Sequence, residues 1–359
     1  MNVEEVTPRL RVGRQPRVEN ERAFRLASRR GYASNASSLE RLKIRPFEER
    51  DYERQAAIGA AINPGLDRGL AWYRHYDQVW DPSLLRLQLV TERDDLVVGW
   101  GDVGHMWWAY HPRKFVLRLN VDPAYQQQGI GSQLYGRLID RLATWNAALL
   151  GAETRETRSH SLEFLRHRGF VEHHRRWESC LVLSQTRVDR FADAYERMAQ
   201  QGFEIVTFAQ ERAHRGDQLL RDLFDLEVCA QRDEPRFDLG VLSFERFVAN
   251  ELQTGEALDD GSFLALANQQ LVGVSRLGRN PSVPNQLHVG FTGVHPDYRG
   301  RGIAGALKLR TVEYAQAHGF NEIRTENDTT NTAMLHINEA FGFQLEAPWI
   351  VLEKRVCQI

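Results

Sequence analysis

The sequence predicts an α/β protein of two mixed domains in tandem, on two observations. At 359 residues the chain is too long for one ordinary core and suits two. Residues 121–170 also align with residues 294–343 without a gap, at an offset of 173, and 12 of the 50 pairs are identical. The identities fall where backbone geometry is demanding: Pro123 with Pro296, Gly129 with Gly302, and Gly169-Phe170 with Gly342-Phe343. A repeat this long sets the architecture, namely a duplicated domain.

Residues 1–40 carry eight arginines and five glutamates and no clear periodicity, which reads as a flexible or loosely docked extension. The glutamates argue against a targeting peptide. Residues 41–185 form the first domain and residues 202–359 the second. Each opens on a β-rich run leading into a polar helix start, "RLKIRPFEERDYE" from Arg41 and "GFEIVTFAQE" from Gly202. Further on, "FVLRLNV" and "NQLHVGFTGV" read as strands that end at a glycine turn. After the turn Ile130, Leu134, Leu138, Leu142 and Trp145 lie at helical spacing, as do Ile303, Leu307, Tyr314 and Ala315, with Gly319 as a C-cap. A strand-like "NEIRTEN" comes next, and then a helix-like "TNTAMLHINEAFGF". Between the domains, Val188, Phe191, Tyr195 and Met198 form one face of a linker helix over residues 186–201.

Composition excludes several function classes. A hydrophobic fraction of 42% with 26% charge is that of a soluble globular chain. The net charge of −2 gives no reason to expect nucleic acid or a membrane surface as partner. No apolar run approaches the roughly 18 residues of a span, and the start lacks the apolar core of a secretory signal. Cys180, Cys229 and Cys357 are odd in number and widely spaced, against a disulfide framework or a zinc site. The expectation is a cytoplasmic protein with reduced thiols and no metal.

What chemistry there is centres on "GVHPDYRGRGIAGALK", from Gly293, and its counterpart "NVDPAYQQQGIGSQLY", from Asn120. A helix that begins at glycines offers unpaired N–H groups and the positive end of its dipole. Glycine lets an anion approach those amides, and Arg299 and Arg301 would add charge suited to a pyrophosphate. Neither a nucleotide-triphosphate loop nor a dinucleotide fingerprint fits the spacing.

The spacing Val294-x-Pro296-x-x-Arg299-x-x-Gly302-x-Ala304 resembles the signature of the GNAT superfamily of N-acyltransferases. Val121-x-Pro123-x-x-Gln126-x-x-Gly129-x-Gly131 satisfies it too, so the chain resembles a tandem GNAT protein over residues 41–359. The resemblance implies two GNAT-like domains, each a mixed, mostly antiparallel sheet with splayed central strands flanked by helices. It further implies that coenzyme A sits on the turn amides, and so assigns acetyl-CoA as co-substrate. The cofactor-binding residues become Val294, Arg299, Gly300, Arg301, Gly302, Ile303 and Ala304, with Asn331 on the pantetheine, and Val121, Gln126, Gln128, Gly129 and Gly131 in the first copy. The acceptor becomes a small-molecule primary amine.

Acyl transfer to an amine needs a base, because the amine is mostly protonated at pH 7. The family's base position, six residues before the signature valine, holds His288 here and Phe115 in the first copy. The other account of His288 is a strand histidine bonded to a neighbour. Glu326, paired with Glu153, is the second candidate base, or else a surface carboxylate. Where the family places an acidic tyrosine stand Asn338 and Leu165; an asparagine can donate to sulfur but cannot deliver a proton. Asn327, Asn331 and Asn338 correspond to Thr154, Arg158 and Leu165, and they share one helical side if Asn327 caps the helix. The second copy is therefore expected to be catalytic. In the first copy Trp72, Tyr73, Tyr76, Trp80, Trp107, Trp108 and Tyr110 form either a lid or core packing. Asp233, Glu234, Asp259 and Asp260 either attract a cationic amine or are solvated. The rival function is a non-catalytic acyl-CoA-binding sensor or scaffold, motivated by the missing tyrosine.

Overall fold

The computed structural model describes residues 42–67, 69–232 and 242–356. The extension 1–40, Asp233, Glu234 and Cys357 lie outside them. Contacts divide the chain after Leu42, and the sheet and its clefts belong to the larger unit, Lys43–Ile359.

The first copy runs β1 (Leu42–Pro46), α1 (Tyr52–Ile62), α2 (Gly69–Gln78), β2 (Arg86–Arg93), β3 (Leu96–Gly104), β4 (Lys114–Val121), α3 (Ile130–Thr144), β5 (Leu149–Arg155), α4 (Ser159–Arg166) and β6 (Val171–Val182). Then come α5 (Ala194–Gln200), β7 (Phe203–Thr207), α6 (Phe208–Arg215), α7 (Asp217–Gln231), a short α8 (Phe244–Phe247), β8 (Phe263–Ala267) and β9 (Gln270–Arg279). The chain continues with β10 (Gln286–Val294), α9 (Ile303–Ala317), β11 (Glu322–Asp328), α10 (Thr332–Phe341), β12 (Gln344–Leu345) and β13 (Trp349–Arg355). Over residues 186–201 there is a 3₁₀ turn, Asp189–Phe191, and then α5; Val188, Phe191 and Tyr195 pack on the second copy's core, and Met198 joins the cluster beside it.

The helical spacing has its expected consequence. Ile130, Leu134, Leu138 and Leu142 of α3 recur every fourth residue, and all are at most 1% exposed, so one face of the helix covers the sheet.

The strands form one continuous sheet in the order β1-β2-β3-β4-β5-β13-β6-β11-β10-β9-β8-β7, with β12 beside β6. From β2 to β7 in that order neighbours are antiparallel except at two places, β4 with β5 and β10 with β11. At those places pairing stops early. The first pair ends at Leu117 with Ala152, and the second at His288 with Arg324, after which the strands diverge. The two copies differ here. A bulge between Val289 and Phe291 interrupts the register of β10 with β9, while β4 runs in unbroken register with β3.

The order also reveals an exchange. The last strand, β13, lies between β5 and β6, and β6 pairs with β11. Strand β13 turns Ile350 and Leu352 into the first copy's core, among Phe115, Leu138 and Leu150. Strand β6 sends Leu181 into the second copy's core, with Leu287, Ile323 and Phe341. Full burial of one such side chain contributes about 1.5–3 kcal/mol. Each copy is thus closed by a strand from the other's stretch of chain.

Candidate functional site

Both glycine turns have the same backbone. Residues Gln127 and Gly129 adopt positive φ, of 60° and 82°, and so do Gly300 and Gly302, at 74° and 85°. Left-handed residues at alternate positions aim successive amides to one side, forming an anion-binding concavity. Among the described residues, the amides of Gln127 to Gly131 and of Gly300 to Ala304 have no backbone acceptor. Ile303 and Ile130, each 1% exposed, anchor the two helices in the core, so at these positions the amides and not the side chains face outward.

The side chains of the turns mostly brace them. Gln126 donates Nε2 to the Val121 carbonyl at 2.9 Å, and Arg299 donates Nε to the Val294 carbonyl at 3.2 Å. Arg299 also reaches the Ala230 carbonyl at 3.2 Å. Gln128 accepts from Arg93 at 2.6 Å, and the Arg301 guanidinium lies 5.4 Å from the Tyr298 ring.

In the first copy this turn opens into a cleft of about 770 Å³. It runs from Gln126 and Gly129 past Asn120 and Arg118 to Asp67, Trp72, Tyr73 and Trp100, with Glu153, Arg158 and Trp349 on the far wall. The aromatic cluster divides: Trp72 and Tyr73 line the cleft, joined there by Trp100, which the cluster did not include, whereas Tyr76 and Trp80 pack against the Arg86 guanidinium. Tyr73 donates to Asp67 at 2.9 Å, and burial raises the pKa of both groups. A Cβ at Gly59 would collide with the Asp67 carboxylate and the Tyr73 hydroxyl, so a glycine in α1 admits this pair. Asp102 is 1% exposed and accepts from Arg86 Nε and from Arg118 Nε and NH2, each at 2.8 Å. Burial opposes its charge, but Arg118 and Arg86 together hold it below the usual carboxylate range.

In the second copy, His288 and Gly290 of the bulged β10 line a pocket of about 130 Å³ with Glu251, Glu256, Asp259 and Arg276. Arg276 is fixed by Glu227 (2.6 and 3.0 Å) and Glu251 (3.0 Å). Burial raises the Asp259 pKa, with Asp260 adding to it. Contrary to the expectation from sequence, Asn327 does not cap α10, because β11 extends through it; the cap is Asn331, whose Oδ1 accepts from Met334 N at 3.2 Å. Asn338, 2% exposed, donates to Asn327 at 2.6 Å across the two elements, and among the described residues its own Oδ1 has no partner. The three asparagines thus do not share one helical side: two bond each other and the third caps.

Sequence reasoning missed the charged cluster where the two copies' strands meet. Arg176 of β6 binds Glu153 at 2.7 Å and Glu326 at 3.3 Å, the matching carboxylates of the two copies. Beside Glu326 in the ladder sits Glu178, 2% exposed, which accepts from Trp349 Nε1 at 3.3 Å. Burial, with the Glu326 charge behind it, pushes Glu178 up to about 7. Comparing the copies alone does not find Arg176 or Glu178, because β6 and β13 fall after the stretch that aligns.

Among the described residues no three His, Cys, Asp or Glu side chains group as a metal ion would require, and no helix is long and apolar enough to cross a membrane.

Comparison with known proteins agrees with this geometry. The acetyltransferase (GNAT) family matches residues 58–170 and 220–343. Over 73 residues the chain is 38% identical to N-alpha-acetyltransferase RimI of Mycobacterium tuberculosis, and over 68 residues 35% identical to acetyltransferase SG1711 of Sodalis glossinidius. Those stretches are 20% and 19% of this chain and span 42% and 48% of the two relatives, under half of each. Among solved structures, a tandem GNAT protein from the clavulanic acid biosynthesis pathway superposes with a TM-score of 0.70 at 16% identity, covering 88% of this chain and 98% of that one. A GCN5-related N-acetyltransferase from Sphaerobacter thermophilus gives 0.63 at 16% identity, over 88% and 96%. At such identity the likeness is one of fold.

Proposed function

Because the chain belongs to the acetyltransferase (GNAT) family, we propose that it is an N-acyltransferase moving an acetyl group from acetyl-CoA to a primary amine of a small molecule. The observation that carries this reading is the pair of turns with outward amides, each at the head of two diverging strands. Main-chain N–H groups and a helix N-terminus suit a pyrophosphate, and the gap between the strands suits an extended arm.

We place the chemistry in the second copy, with His288 as base. The bulge in β10 and the carboxylates Glu251, Glu256 and Asp259 around His288 support this, since they would draw in a cationic amine that must then lose a proton. Glu326 is the alternative base, charge-paired with Arg176. Asn338 has one amide N–H on Asn327, so in this reading it holds the end of β11 against α10, with its second N–H left as the donor for sulfur. The size of the first cleft favours a second reading, in which acyl-CoA binds there, for turnover or as a ligand that is not consumed.

One pair of variants tests both. At φ of 82° and 85°, Gly129→Val and Gly302→Val force a β-branched side chain into left-handed backbone, and each should destroy one anion site. Thiol release from acetyl-CoA with an amine panel should collapse in Gly302→Val and largely survive in Gly129→Val, while calorimetry counts two CoA sites falling to one in either. The reverse pattern would move the chemistry to the first copy. Tight binding without thiol release for any amine would leave only the binding reading.

A further inference from the structure

Arg158 stands where the second copy has Asn331, at the N-terminus of the helix after the fifth strand. There Asn331 caps its helix through its side chain; Arg158 makes no such cap. Arginine is also the wrong charge for that place, since a cation at a helix N-terminus meets the positive end of the dipole. The side chain instead reaches across the cleft to the end of α1. Its NH2 donates to the Ile62 carbonyl at 2.6 Å and to Asn63 Oδ1, and the guanidinium lies 5.9 Å from the Trp349 ring. All of these partners are neutral.

Among the other charged groups of the cleft, Arg118 is held by Asp102 and Glu153 by Arg176, while Asp67 accepts from Tyr73 and from the Gly69 amide and burial favours its neutral form. Arg155, next along β5, faces Glu178 and Glu346. Among the described residues Arg158 has no carboxylate within ion-pair distance. Burial, and then the neighbouring Arg155, work against its charge, and no carboxylate offsets them. A partly desolvated guanidinium held only by neutral oxygens costs free energy that an anion would recover, and its planar edge matches a carboxylate.

We propose that the first cleft takes a ligand bearing a carboxylate, which Arg158 binds through the guanidinium edge not used on Ile62 and Asn63. The carboxylate has two possible sources: the far end of the acyl chain on a dicarboxylic acyl-CoA, or the acceptor itself. This inference rests on reading the first cleft as an acyl-CoA cleft, but its readout is binding, so absence of turnover would count against the proposed reaction and not against this.

The test is a set of affinity ratios measured by calorimetry on the full chain. One arm compares succinyl-CoA with butyryl-CoA, a charged and a neutral chain of equal carbon count. The other compares α-amino acids with their primary amides at saturating CoA. A hydrogen-bonded charge pair predicts a preference for the carboxylate of about 10- to 100-fold in one arm. Preference in the first arm assigns the carboxylate to the acyl chain, and in the second to the acceptor. Arg158→Gln should bring that ratio to near one, and Arg158→Lys should keep part of it. Loss of the tie to α1 alone would weaken both members of a pair equally and leave the ratio intact. Asn63→Ala, which removes the side-chain half of that tie but keeps the guanidinium and its bond to the Ile62 carbonyl, should preserve the ratio and stands in if Arg158→Gln does not fold. No preference in either wild-type arm, or a preference that survives in Arg158→Gln, overturns the proposal.

Discussion

Replacing His288 with glutamine should lower kcat/KM about 10²-fold, the usual scale for a lost general base. The acidic limb of the pH profile should vanish with it, because glutamine keeps a polar side chain of similar reach but cannot titrate. Acetyl-CoA affinity should barely change, since the turn amides lie at the opposite end of β10. Steady-state rates across pH, with calorimetry for the co-substrate, measure all three effects. The geometric case is the bulge next to His288, which the first copy lacks, and the pocket shared with Glu251, Glu256 and Asp259. The first copy has Phe115 at this place, buried in its core and stacked on His105 at 4.4 Å, so it has no base there. If His288→Gln keeps the wild-type rate and profile, the histidine is a bystander. Glu326, ion-paired with Arg176 at 3.3 Å, is then the next candidate, and Glu326→Gln should lower kcat/KM in its turn.

Much of the architecture was legible because backbone geometry constrains residue type. The two left-handed positions and the buried helix face allow few alternatives, so Gly129, Gly302 and the four-residue spacing of α3 point to the turn and its helix without any structure. Side-chain direction was less legible. Arg299 and Arg301 carry charge suited to a pyrophosphate, and the sequence does not show that the Arg299 guanidinium also bonds main-chain carbonyls, at Val294 and Ala230. The asparagines fail for a related reason. Asn327 and Asn331 are both good capping residues, and the extent of β11 decides between them. In sequence Arg158 looks like the loss of a polar helix position. Only the contact with Ile62 and Asn63, 95 or more residues earlier, shows that its guanidinium crosses the cleft. The strand exchange was illegible in principle: β6 and β13 end equivalent stretches, both mix apolar and polar residues, and either pattern would satisfy either sheet edge.

That exchange gives the second large effect expected. Leu352, in the middle of β13, is 0% exposed and packs in the first copy's core. Leu352→Ala should cost about 2–5 kcal/mol, the range for truncating a fully buried leucine, and denaturant titration would read it as a lower midpoint at unchanged slope. Where the loss is felt is the sharper test. Hydrogen exchange should show α3 losing protection, because Leu134, Leu138 and Leu142 belong to the same cluster, while α9 stays protected. Leu181→Ala should do the opposite, loosening α9 and α10 through Ile323 and Phe341 and sparing α3. Were each strand packed on its own copy, the two protection patterns would be interchanged. The exchange also places Trp349, from the second copy's stretch, on the wall of the first cleft, with its indole N–H on Glu178 beside Glu326. Leu352→Ala should therefore weaken ligand binding in the first cleft, even though the last strand lies far along the chain from that cleft's glycine turn.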